Sequence, residues 1–234
     1  MNADSPTWWC ADDLVDVDRP RQAFSGAQRV SADQHTAPLS VDDARRRWRD
    51  LVSAAHRDLT GCASLLGVDA PPSTDAATLA RELELGCDRL ASRDATPAQL
   101  AVLLRACVLS GLTGRLIRDA YDYANQRVVM GSVLIEYQLI CAKLADMAIA
   151  DDIIEQRLIA ALDARECASA DAGWRGIPAL TARQHVVEIA RCAASVLSLY
   201  VEIHAGHAFV QRAASAPVLA VAQTLLDGIQ TSAS

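Results

Sequence analysis

Several signatures that assign chemistry at a glance are missing from this chain. No GxGxxG, GxSxG or phosphate-loop pattern occurs, so nucleotide binding through a glycine-rich turn and hydrolysis from a nucleophile elbow lack their local machinery. The seven cysteines, Cys10, Cys62, Cys87, Cys107, Cys141, Cys167 and Cys192, include no CxxC pair. Scattered singly and mostly inside apolar patterns, they argue for reduced, buried thiols rather than disulfides or a zinc site. No apolar run is expected to reach membrane-spanning length. The opening MNADSPTWWCADD has neither a basic nor an apolar leader region, and a cytoplasmic protein is the expectation. A basic footprint is missing too: the net charge is -7 and the sequence pI is about 5.2, which excludes the usual electrostatics of a nucleic-acid or anionic-membrane partner. The one basic run, Arg45, Arg46, Arg47 and Arg49, is flanked by Asp42, Asp43 and Asp50 and reads as a solvated helix face. Period-two alternation is rare, so no sheet is expected.

What the chain does have is apolar residues at helical spacing. At 234 residues and 51% hydrophobic it is long enough to bury a sizeable core. Residues 1–39 are rich in Asp, Ser, Pro and Gln without periodicity and read as an irregular arm. Residues 40–95 read as an N-terminal helical segment: one helix from Ser40 to Gly67, then a second from about Thr74 to Leu90. Thr96 as cap and Pro97 at the first helical position open a much longer helix, whose Leu100, Leu103, Leu104, Cys107, Val108, Gly111, Gly114, Ile117 and Tyr121 recur at three- and four-residue steps to about Gln126. Val133, Tyr137, Ile140, Leu144, Met147, Ile154, Leu158 and Leu162 trace another of similar length. A third, capped by Thr181 with Gln184, carries Val187, Ile189, Val196, Tyr200 and Ile203 inward, and Ala216–Leu226 makes a shorter fourth. Residues 96–234 therefore read as a helical bundle, the natural way to bury such stripes.

The helix ending in YDYANQRVVMG stops on a polar cluster, Asn125, Gln126 and Arg127, before Gly131 breaks the run. A solvated arginine complementing the helix macrodipole accounts for such an ending. The continuation YDYANQRVVMGSVLIEYQLICAKLADMA, however, closely resembles the C-terminal helical domain of acyl-CoA dehydrogenases, whose pattern there is YAxxRxxFGxPIxxFQxIQxxLADM. Tyr123, Ala124, Arg127, Gly131, Gln138, Ile140, Leu144, Ala145, Asp146 and Met147 fit in register. VEIHAGHAF at 201–209 resembles a decayed form of the family's QIxGGxGF segment, with Gly206 and Phe209 retained.

The resemblance implies an all-α fold, an antiparallel four-helix bundle of the acyl-CoA dehydrogenase C-terminal type with a short helical N-terminal extension. It implies that Arg127, Met130, Gln138 and Gly206 occupy the positions that reach FAD held mainly by a neighbouring subunit. A guanidinium suits a pyrophosphate, being permanently charged and able to bind two oxygens at once. The departures are as informative. No counterpart of the family's middle β-domain is found, Met130 replaces an aromatic residue, Cys141 replaces the second glutamine, and Glu202 places a carboxylate where the family has an amide. The catalytic base has no clear counterpart: the early position is Leu104, and the late one is matched only by a shortened carboxylate, Asp227, before Gly228.

Three readings follow. The chain is a companion subunit, pairing with itself or with a full-length acyl-CoA dehydrogenase-like chain around a shared FAD and an acyl thioester. Alternatively, it is a flavin-independent cyclase or isomerase using a bundle pocket lined by Tyr123, Tyr137, Glu202, His204, His207 and Arg212, with Glu202 and His204 as acid–base groups. Finally, it is a binding or structural bundle. No metal is expected: His204 and His207 near Glu202, with His185 and Glu188, have the wrong order for a di-iron bundle.

Overall fold

The computed structural model describes residues 41–68, 75–92, 97–170, 178–204 and 216–233. They form seven helices: α1 (Val41–Arg57), α2 (Leu59–Leu65), α3 (Ala76–Ala91), α4 (Pro97–Gln126), α5 (Gln138–Ala170), α6 (Pro178–His204) and α7 (Ala216–Ala233). The expected arm, and the caps Ser40, Thr74 and Thr96, lie outside the described residues.

Two local signals set the start of this body. The helix expected from Ser40 to Gly67 is broken at Asp58, whose backbone is extended and whose carboxylate accepts a hydrogen bond from the Gly61 N–H. A carboxylate that satisfies an orphan N–H restarts the helix as α2. Gly67 does end it: with φ +67 it takes the left-handed position, while the Val68 N–H donates to Ala63 O at 2.9 Å and the Gly67 N–H to Ser64 O at 3.1 Å. This paired pattern satisfies the last carbonyls of the helix. Asp75 caps α3, accepting from the Ala77 and Thr78 N–H groups at 3.1 and 3.0 Å.

The helix at the centre is α4, which packs against α1, α3, α5, α6 and α7. Every residue from Ala106 to Gly114 is buried, so this stretch meets neighbours on all sides. That corrects the expectation about apolar runs. Pro97–Gln126 is long and apolar enough to cross a membrane, and 72% of its apolar window is buried inside the protein; a helix enclosed by other helices needs no polar face. The closest approach is at Gly111, where an added Cβ would run into Val52 O, Ala55 Cβ and the His56 N of α1. Glycine there lets two helix backbones touch.

The most extensive pairing is α5 on α6. Leu109, Leu112, Leu116, Met147, Ile154 and Ile189 are fully buried, and each such side chain contributes roughly 2 kcal/mol of transfer free energy. The thiols fall on this inner side: Cys62, Cys87 and Cys107 are free and buried at the meeting of α2, α3 and α4. Loss of solvation pushes the Cys87 thiol up to about 12, and burial raises Cys62 and Cys107 as well. A thiolate is disfavoured at all three.

Among the described residues one sheet forms, against the expectation of none. Val128–Val129 (β1) pairs antiparallel with Ser132–Val133 (β2), Val129 opposite Ser132. The two-residue loop is Met130-Gly131, with φ of +51 and +88. Positive φ at both central residues marks a turn whose twist matches that of the strands. The chain then makes a 3₁₀ turn at Leu134–Glu136 and enters α5.

Candidate functional site

The hairpin fixes the geometry between α4 and α5. The Arg127 N–H still donates to Tyr123 O as though α4 continued, at 2.9 Å, while Arg127 O accepts from the Leu134 N–H at 2.7 Å. Tyr137, expected in an interhelical pocket, instead donates its hydroxyl to Val129 O at 2.6 Å and ties the 3₁₀ turn to the hairpin. The Cys141 thiol donates to Ile135 O at 2.8 Å. These bonds leave Arg127, Met130 and Gln138 outside: all three side chains are exposed, Met130 by 97%. Val128 and Leu139 are exposed beside them, by 58% and 66%. The Arg127 guanidinium has no ion pair among the described residues. Gln138 is the first residue of α5, where backbone N–H groups and the helix dipole favour an anion.

The chemistry of these residues suits the phosphate-bearing part of a dinucleotide. A permanent cation, an amide and a helix N-terminus are the right donors for a pyrophosphate.

The three candidate acid–base residues are not brought together. Asp227 lies in the middle of α7 rather than at a helix stop, exposed, accepting from its own helix through Gln223 Nε2 at 3.0 Å. Glu202 is exposed on α6 and turned to α5, where Lys143 Nζ lies 2.9 Å from its carboxylate. The hydrogen bond and charge of Lys143 hold its pKa below the usual carboxylate range, so it is a poor proton carrier at neutral pH. His204, two residues on, faces another way, as a spacing of two on a helix requires. Gly206, His207 and Arg212 lie outside the described residues.

His204 does enter a polar cluster between α4 and α6. It is 6% exposed, and its ring lies between Tyr123 and Tyr200, with centroids 4.3 and 4.1 Å away. Its Nδ1 is 3.0 Å from Tyr200 O and its Nε2 is 3.4 Å from Asp119 Oδ2, the oxygen that also accepts the Tyr200 hydroxyl at 2.6 Å. If Nδ1–H donates to the carbonyl, protonation of the ring adds an Nε2–H aimed at the carboxylate. The Asp119 side chain is 39% exposed, so this group of proton carriers reaches the surface through its carboxylate. Asp119 was not singled out in the sequence, and Tyr200 was placed only as core. A helical offset from Tyr123 to Asp119 on the same face of α4 is the one signal that points to the pair.

Glu188 is paired with Arg191, 2.9 Å away, and no group of three or more His, Cys, Asp and Glu that could hold a metal ion occurs among the described residues.

Comparison with known proteins agrees with the resemblance in the sequence. The family model described as "Acyl-CoA dehydrogenase, C-terminal domain" matches residues 100–210, from the first turn of α4 to just beyond α6. No curated protein and no solved structure matches the chain. Residues 100–210 are thus similar to the C-terminal helical domain of acyl-CoA dehydrogenases, and among the described residues of that segment α4, α5 and α6 are helical, the first two joined through the Arg127–Gln138 turn.

Proposed function

We propose that this chain is a helical acyl-CoA dehydrogenase-like subunit, incomplete for flavin-dependent dehydrogenation alone. It works in an oligomer with a full-length dehydrogenase-like chain that carries most of the FAD site and acts on an acyl thioester. The observation that carries this reading is the outward presentation of Arg127 and Gln138 on either side of the hairpin. A cation on a rigid turn, without a described ion pair, suits an anion brought by another molecule. The flavin, when bound, supplies the hydride acceptor. This chain's part is to bind the pyrophosphate through Arg127, to orient it through the Gln138 amide, and to cover one edge of the cofactor with Val128, Met130 and Leu139. The α-proton is removed by a carboxylate of the partner, since Asp227 sits on the outer face of α7 and Glu202 is held by Lys143.

The test is the colour of purified protein. The chain alone is expected to be colourless and to retain no FAD on gel filtration, whereas its complex with a full-length dehydrogenase-like chain is yellow. Stoichiometric flavin on the isolated chain would contradict the reading.

A second reading, a flavin-independent enzyme using acid–base chemistry, is favoured by one observation, the Asp119–Tyr200–His204 cluster with its partly exposed carboxylate. Under it, an acyl thioester raises the melting temperature of the isolated chain, Asp119→Asn removes that shift, and Arg127→Ala keeps it. A shift lost in Arg127→Ala and kept in Asp119→Asn would reject this second reading.

A further inference from the structure

We draw no further inference here: the strongest candidate, the exposed apolar side chains of Val128 and Met130 on the hairpin and of Leu139 and Ile149 on α5, includes residues of the site already described, and nothing in the structure shows what covers the others.

Discussion

A short stretch of chain separates Asp119 from Arg127, and the two meet opposite surroundings. Asp119 is met from α6 by a phenol and an imidazole, and the groups around it are closely packed. Arg127 lies just past the end of α4, exposed on a turn held by backbone bonds and by the Tyr137 hydroxyl. Asp119, Tyr200 and His204 are partnered with one another within the chain; on the hairpin side, the Arg127 guanidinium has no ion pair among the described residues. A surface that holds its backbone firmly while leaving a cation, an amide and apolar side chains in water is what the proposed role in an oligomer requires. The Met130 backbone sharpens the point, since a residue with a Cβ in the left-handed region is disfavoured by about 1 kcal/mol or more, and its side chain has no packing to offset that.

The contrast can be broken in several ways. Thiol chemistry should show the widest gap. Cys141 is exposed, whereas Cys62, Cys87 and Cys107 are buried with raised pKa values. A maleimide should label Cys141 in the native protein and leave the other three until unfolding, orders of magnitude more slowly. Rapid native labelling of Cys107, read by mass spectrometry of its peptide, would show that the interior is not packed as described.

Next in size is Gly111→Val. The added side chain meets the α1 backbone, which cannot retreat as a flexible side-chain tip would, so a loss of about 3 kcal/mol in urea unfolding is expected. Tyr200→Phe should cost about 1.5 kcal/mol, the usual worth of a hydrogen bond to a charged acceptor, because it removes the hydroxyl from Asp119 and keeps the ring against His204. No loss would mean that the cluster adds nothing to holding α6 on α4. Met130→Gly is the smallest change and has the opposite sign. Relief of the left-handed backbone outweighs glycine's greater freedom in the unfolded chain, and stability should rise by about 0.5 to 1 kcal/mol. A fall would show that Met130 packs within this chain.

The same contrast governs what could be read from the sequence. The bounds of α4 were legible because proline opens it and a polar cluster closes it, both local signals. The end of α2 was legible because Gly67 has a left-handed role. The break at Asp58 was not: within an apolar helical pattern, an aspartate that continues the helix and one that caps a new helix look alike until the carboxylate's partner is known. The hairpin was missed because two-residue strands are too short to show a period of two. Its Met-Gly turn also lacks the Asn-Gly or Asp-Gly signature that marks such loops.

For the site, Arg127, Met130 and Gln138 were legible because the motif that contains them is contiguous. The Asp119–Tyr200 bond joins residues 81 apart, and no local pattern records a contact at that distance. The positions of Glu202 and His204 illustrate the same limit. Two residues apart in sequence and both of a type that can carry protons, they are divided by the helix between α5 and α4.

The most direct measurement is the flavin content of the complex with a full-length dehydrogenase-like chain, compared for two variants of similar fold. Arg127→Ala, at an exposed position, should leave the melting temperature of the chain unchanged while the complex loses FAD on dilution. Tyr200→Phe should lower the melting temperature and keep the flavin. If Arg127→Ala retains FAD as fully as the unaltered protein, the outward-facing arginine has no cofactor to hold and the proposed role is wrong.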